Sequence, residues 1–229
     1  MKTFYRRGLL AMTAALAFGL FATPAAFAAA GTDEQTTIDH AIGTLRDLRH
    51  DKEFGNAREL INRARGVMIA PRIFKAGFFF GGEGGAAVLL AREGRGWSNP
   101  AFYTIASASF GLQIGAQESE MVLIVLTQRG LDALMRDQFK IGANAGIAVA
   151  TLGSTVEGAT TANVGADIVV WASTSGAYAG VSLDGTLIEP RSSANAAYYG
   201  HAVTPREIIG MRAPANAGAV TLRRELGAI

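Results

Sequence analysis

Gly77-Phe78-Phe79-Phe80-Gly81-Gly82-Glu83-Gly84-Gly85-Ala86-Ala87-Val88-Leu89-Leu90-Ala91 sets the architecture of this chain. Two apolar runs, Gly77–Phe80 and Ala86–Ala91, flank the glycines Gly81, Gly82, Gly84 and Gly85. Short apolar runs bounded by glycine read as strands, and the glycines between them supply turns, positive φ or room for close backbone approach. Upstream, Val67-Met68-Ile69 predicts a short strand cut by Pro71, because proline has no N–H to give a ladder. Downstream, Gly94-Arg95-Gly96 is a turn, while Phe102–Ala108 and Gly111–Ala116 read as strands. Met121–Leu126 is an unbroken apolar run of the kind buried on both faces of a sheet. Ile141–Ala150 alternates small and apolar residues. Ala166–Ser173, Gly176–Leu183 and Thr186–Ile188 add strands, the last two joined by a hairpin turn at Asp184-Gly185.

Helices lie at both ends. Thr32 and Gln35 have capping-box spacing. Ile38, Ala41, Ile42, Leu45 and Leu48 then form one stripe of an amphipathic helix over 38–49. A second helix is predicted over Asn56–Arg65, with Leu60, Ile61 and Ala64 inward and Gly66 as its stop. Thr127 caps a helix carrying Leu131, Leu134 and Met135, and Ser193–Tyr199, Thr204–Gly210 and Asn216–Leu226 read as short helices. The expected class is α+β: a glycine-rich, mostly antiparallel, partly barrel-like sheet flanked by N- and C-terminal helices.

The N-terminus reads as an export signal over residues 1–28. Lys2, Arg6 and Arg7 precede the apolar run Leu9–Phe21, and Ala26-Phe27-Ala28 has the A-x-A cleavage form. That run is short of the roughly 20 apolar residues a membrane-spanning helix needs. Arg6-Arg7 also resembles a twin-arginine signal. Export to the periplasm follows, peripheral to the inner or outer membrane, with residues 29–229 as a single domain. The whole chain has a pI near 9.1 and a formal charge of +2. Removing Lys2, Arg6 and Arg7 leaves 18 basic against 19 acidic residues, a formal −1. The basic pI therefore belongs mostly to the signal, which removes the global-charge argument for nucleic acid. With no cysteine, disulfides, thiolate metal sites and cysteine-linked lipid anchors are excluded.

Enzyme-like patterns are weak. Gly82-x-Gly84-x-x-Ala87 matches dinucleotide-site spacing, but the following residues continue as strand rather than opening a helix, so turn glycines explain it better. Ser109, Asp184 and His201 fall in hydrolase chain order, yet Ser107-x-Ser109-x-Gly111 lacks the first glycine of a nucleophile elbow. A serine hydrolase is therefore a distant alternative. His40, His50 and His201 are dispersed, and Glu118 with Glu120 reads as a solvated strand edge. No enzyme activity, metal or cofactor is expected. A surface-binding reading does better: Arg46 and Arg49 flank the stripe of helix 38–49, and Arg63, Arg65, Arg72 and Lys75 follow closely. Basic residues beside an apolar stripe can dock on anionic lipid. The interleaved Asp39, Asp47, Asp51 and Glu59 equally suit a solvated helix packed on its own sheet.

Linked motifs are more specific. Ala64-Arg65-Gly66-Val67-Met68-Ile69-Ala70-Pro71, Lys75-Ala76-Gly77-Phe78 and Gly81–Gly85 are followed by Gly96-Trp97-Ser98-Asn99-Pro100-Ala101-Phe102-Tyr103 and by Ser109–Gln117. With Gly130–Leu134, Phe139–Gly142 and Gly176–Gly185, the chain resembles the SYLF domain over roughly 36–200, close to its exported bacterial members. The resemblance implies a lipid-binding module rather than an enzyme. Eukaryotic relatives bind phosphoinositides through an amphipathic N-terminal helix and basic residues, and some fungal ones bind actin. Ile38–Arg49 corresponds to that helix, while Trp97, Phe102 and Tyr103 are expected in the core. The chain has no partner domain such as SH3, and many exported relatives carry a lipidated cysteine that it lacks. The expected partner is an anionic lipid or membrane surface contacted by Arg46, Arg49, Arg63, Arg65, Arg72 and Lys75. An envelope protein partner is the alternative, and an exported location argues against actin.

Overall fold

A computed structural model describes residues 24–77, 80–110, 115–142, 147–152, 165–174, 185–210 and 217–229. The predicted strand Gly176–Leu183, and parts of Gly111–Ala116 and Ile141–Ala150, lie outside the described residues. The helices are α1 (Pro24–His50), α2 (Phe54–Arg63), α3 (Gln128–Leu134), α4 (Ser192–Tyr199), α5 (Pro205–Gly210) and α6 (Ala217–Gly227). The strands are β1 (Gly66–Gly77), β2 (Phe80–Glu93), β3 (Gly96–Trp97), β4 (Ala101–Phe110), β5 (Gly115–Val125), β6 (Phe139–Lys140), β7 (Val149–Thr151), β8 (Ile168–Thr174) and β9 (Leu187–Pro190). They form one sheet in the order β6-β9-β4-β2-β1-β5-β8-β7, with β3 added to β2. The described pairings are antiparallel except the parallel β7–β8 pair. The sheet curls into a half-barrel flanked by the terminal helices, so the class is α+β as expected.

Alternation along the central strands explains the layering. Val67, Ile69, Val88, Leu90, Val122 and Ile124 face a core closed by Ile38, Leu45 and Leu48 of α1, Ile61 of α2 and Leu222 of α6. Met68, Leu89, Leu123, Val170 and Ile105 face a second core closed by Leu131 and Leu134 of α3, Phe139, and Ile208 of α5. Met121–Val125 is buried on both faces, as its unbroken run predicted. Trp97, Phe102 and Tyr103 are core residues.

Pro71 does not cut the first strand. β1 runs through it with one extra residue: Ile69 pairs with Val88 but Arg72 with Ala86, and Ala70 pairs with Met121 but Ile73 with Ser119. This bulge takes the proline nitrogen out of the ladder, and Ala70 and Ile73 reach the same core three residues apart. The glycine cluster is likewise in-strand rather than a turn. Gly81–Gly85 belong to β2, and a Cβ at Gly85 would collide with the Arg72 carbonyl oxygen. Close backbone approach is thus what Gly85 provides. Gly94, in the β2–β3 turn, does have positive φ, at 55°.

Helix α2 ends at Arg63, two residues before the expected end at Arg65. Ala64 is already extended, and the Arg65 amide donates to the Val125 carbonyl at 2.7 Å. The sheet claims Arg65, and Gly66 opens β1 instead of capping the helix. Thr127 caps α3 as predicted, its Oγ1 accepting from the Gly130 amide at 3.0 Å. The same hydroxyl donates to Asp167, whose fully buried carboxylate also accepts from Arg129 at 2.6 Å and from the Ala148 amide at 3.0 Å. One carboxylate thereby ties α3, β8 and the segment entering β7.

Two stability predictions follow from these contacts. Gly85→Ala should force the bulge open and cost about 1–3 kcal/mol, whereas Gly43→Ala in α1, where a Cβ meets open space, should stabilise by about 0.5–1 kcal/mol. Urea denaturation of both variants measures the contrast. For Asp167, burial pushes the carboxyl up, but the bonds from Arg129, Thr127 and the Ala148 amide outweigh it, leaving the pKa below the ordinary value. A depressed carboxylate stabilises the fold above its unfolded pKa of about 3.9 and loses that contribution as pH falls through the folded value. Asp167→Asn should therefore cost about 1–3 kcal/mol at neutral pH. It should also flatten the fall in urea midpoint below about pH 4.

Candidate functional site

The basic residues singled out from sequence are divided among α1, α2, β1 and the link between α2 and β1. Helix α1 presents Ile38, Ala41, Ile42, Leu45 and Leu48 to the sheet, and all five are buried. Its apolar stripe is part of the protein core. Arg46 is exposed beside that stripe. Arg49 is bound to α6, donating to the Glu225 carboxylate at 3.0 Å and to the Glu225 carbonyl oxygen at 2.7 Å.

The remaining four do not form one cluster. β1 carries Arg72 and Lys75 away from Arg63 and Arg65: seven residues of strand at about 3.3 Å each separate Arg65 from Arg72 by about 23 Å. Arg72 pairs with Glu118 of β5 at 2.5 Å and lies 5.3 Å from the ring centroid of Phe74. The hydrogen bond from Arg72 holds the Glu118 carboxyl below its usual range. Glu120, two residues on, accepts from Thr44 of α1 at 3.2 Å, and burial raises its pKa, helped by Asp47. Glu118 and Glu120 are thus not a solvated edge; one holds Arg72 and the other meets α1. Lys75 stands in register with Glu83 and Gln117, and its side chain is outside the described set.

Arg63 and Arg65 are exposed at the end where α2 runs into β1. Neither has a side-chain hydrogen bond or ion pair among the described residues. Sequence reading missed two further arginines at this end. Arg92 lies directly across the ladder from Arg65, its amide donating to the Arg65 carbonyl at 2.8 Å. Its guanidinium stacks 3.8 Å from the ring centroid of Trp97 and donates to the Ile61 carbonyl of α2 at 2.6 Å. Burial pushes its pKa down, but an arginine stays protonated. Arg95 is exposed in the β2–β3 turn. Only the turn at Gly94–Gly96 was visible in sequence; the pairing of Arg65 with Arg92 spans 27 residues and has no local signature.

The enzyme-like patterns do not assemble among the described residues. Ser109 lies within β4, opposite Gly81, rather than on a strand-to-helix elbow. His201 is exposed with its Nδ1 on the Tyr199 carbonyl at 3.0 Å, and Asp184 lies outside the described set. Gly82, Gly84 and Ala87 all sit within β2, with no helix opening there. Among the described residues no three His, Asp or Glu side chains gather to hold a metal, and no helix is long and apolar enough to cross a membrane.

A family profile described as "Ysc84: Las17-binding protein actin regulator" matches residues 106–229, and so includes the C-terminal helices beyond position 200. LAS seventeen-binding protein 3 of Saccharomyces cerevisiae is 32% identical over 158 residues, covering 67% of this chain and 34% of the yeast protein. An SH3 domain-containing protein of Schizosaccharomyces pombe is 30% identical over 171 residues, 73% of this chain and 40% of its own length. The SH3 domain-containing YSC84-like protein 1 of Xenopus laevis is 32% identical over 143 residues, 62% of this chain and 42% of the frog protein. The chain thus spans about a third to two fifths of the length of these relatives. Profile and relatives together place it in the Ysc84 family, whose shared unit is the SYLF domain.

Proposed function

We propose that this protein is an exported, non-enzymatic SYLF module of the cell envelope that docks on anionic phospholipid headgroups. The observation that carries the reading is the pair Arg63 and Arg65, exposed and without an acidic partner among the described residues. Local charge of this kind attracts an anionic surface even though the processed chain is formally −1. Export rests on the n-region, apolar run and A-x-A site of residues 1–28. In the absence of a cysteine for lipidation, membrane association is reversible and set by headgroup charge.

A second reading is favoured by the relatives. Yeast LAS seventeen-binding protein 3 is named for a protein partner, and the family description speaks of actin regulation. On that reading the module holds an envelope protein instead of lipid. The proposed location separates it from cytoplasmic actin.

Vesicle sedimentation separates the two. Phosphatidylglycerol or cardiolipin vesicles should bring the processed protein down at about 0.05 M salt and release it by about 0.5 M, because exposed contacts are screened within a Debye length. Phosphatidylcholine vesicles should not bind it. Absence of sedimentation with either anionic lipid at low salt would sink the lipid reading and leave the protein-partner one.

A further inference from the structure

The surface that would meet the lipid is not the one the amphipathic helix suggests. Docking by insertion needs an apolar face free to leave water. In this fold the stripe of α1 has no such freedom, since Ile38, Ala41, Leu45 and Leu48 have no exposed surface at all. Among the described residues the exposed large apolar side chains are Phe74 and Val220. Phe74 stands beside Arg72, seven or more residues along β1 from Arg65, and Val220 is on α6. The end of the sheet that carries Arg63 and Arg65 presents no large apolar wedge among the described residues.

That end does gather positive charge. Arg63 closes α2, Arg65 follows on the way into β1, Arg92 faces Arg65 across the ladder, and Arg95 tops the β2–β3 turn. Opposed residues on paired strands lie about 5 Å apart and strand residues advance about 3.3 Å each. The three exposed arginines therefore fall within roughly 10–15 Å of one another. The acidic side chains along the same segments are Glu59 and Glu93, and neither is ion-paired with these arginines. Arg92 is fixed by Trp97 and the Ile61 carbonyl, so it adds charge from behind without being free to move.

We propose that Arg63, Arg65 and Arg95, backed by Arg92, form a flat docking face for the phosphate groups of an anionic lipid surface, and that it adsorbs without inserting α1. The proposal rests on the lipid reading given above and adds the face, the mode and the role of α1. A guanidinium donates two parallel hydrogen bonds to a phosphate, so three on one face suit neighbouring headgroups. Charge complementarity, with no apolar wedge beside it among the described residues, selects a lipid surface contacted at its headgroups rather than its acyl chains.

The test uses the processed protein with phosphatidylglycerol vesicles at low salt. Replacing Arg63, Arg65 and Arg95 together by Ala should lower the binding constant at least tenfold. Arg46→Ala and Arg72→Ala, on other faces, should each leave it within twofold. Hydrogen exchange on the vesicle-bound protein should find the α1 amides as protected as in solution. Wild-type binding that survives the triple replacement would overturn this face while leaving the lipid reading intact. Loss of α1 protection on binding would overturn the non-inserting mode. Failure of the wild type itself to bind would defeat the lipid reading and this proposal together. Circular dichroism of the triple variant establishes that its fold is unchanged, as expected for three exposed side chains.

Discussion

Packing of the α1 stripe on the sheet is the contact that governs the rest of the molecule. Ile38, Ala41, Ile42, Leu45 and Leu48 close one face over Val67, Ile69, Val88, Leu90, Val122 and Ile124. The central strands are apolar on both sides, so each face must be covered by something. α3, Phe139 and α5 cover one face; α1, with α2 and α6, covers the other. Removing α1 would expose the middle of β1, β2 and β5 together.

Magnitudes decide whether α1 could instead serve as a membrane anchor. A buried Leu or Ile side chain contributes about 1.5–3 kcal/mol, so the four larger members of the stripe hold the helix by roughly 6–12 kcal/mol. An arginine near an anionic surface contributes about 1 kcal/mol. Three or four arginines fall short of the cost of peeling the helix away, and lipid would return only what the sheet had supplied, leaving the sheet itself bare. α1 is further held by Arg49 on Glu225 and by Thr44 on Glu120. An apolar stripe beside basic residues is common to an inserting helix and to a packed one. The sheet's own apolar face distinguishes them.

The elements legible in the sequence were those encoded locally. The period of Ile38–Leu48, the unbroken run Met121–Leu126 (strand and buried as far as Val125), the Thr127 cap and the Gly94 turn depend on neighbours a few residues away, and each was found where predicted. Contacts between distant segments escaped. Pro71 read as a breaker because nothing nearby announced the bulge that accommodates it, and for Gly85 the sequence left turn, positive φ and close approach open because its reason is the carbonyl of Arg72 on another strand. The basic residues fared the same way. Arg63, Arg65, Arg72 and Lys75 are a cluster only in one dimension, and an extended strand turns sequence proximity into separation.

That separation sorts charge along the sheet. Arg72 is matched by Glu118 across the β1–β5 ladder, so its contribution to the external field is largely cancelled. Arg129 is matched by the buried Asp167. Arg92 differs, because its partners are a carbonyl at the end of α2 and the face of an indole, neither of which carries a full negative charge. Those contacts satisfy the geometry of the guanidinium without a carboxylate, and they place it opposite Arg65, which likewise has no ion pair among the described residues. A group built in to finish a helix C-terminus therefore also sets the potential at the surface beside it. Arg63, Arg65, Arg92 and Arg95, none with a carboxylate partner among the described residues, stand at one end of β1, and paired Arg72 stands along the strand from them. Structural satisfaction of Arg92 and polarity of the surface are in this fold a single arrangement.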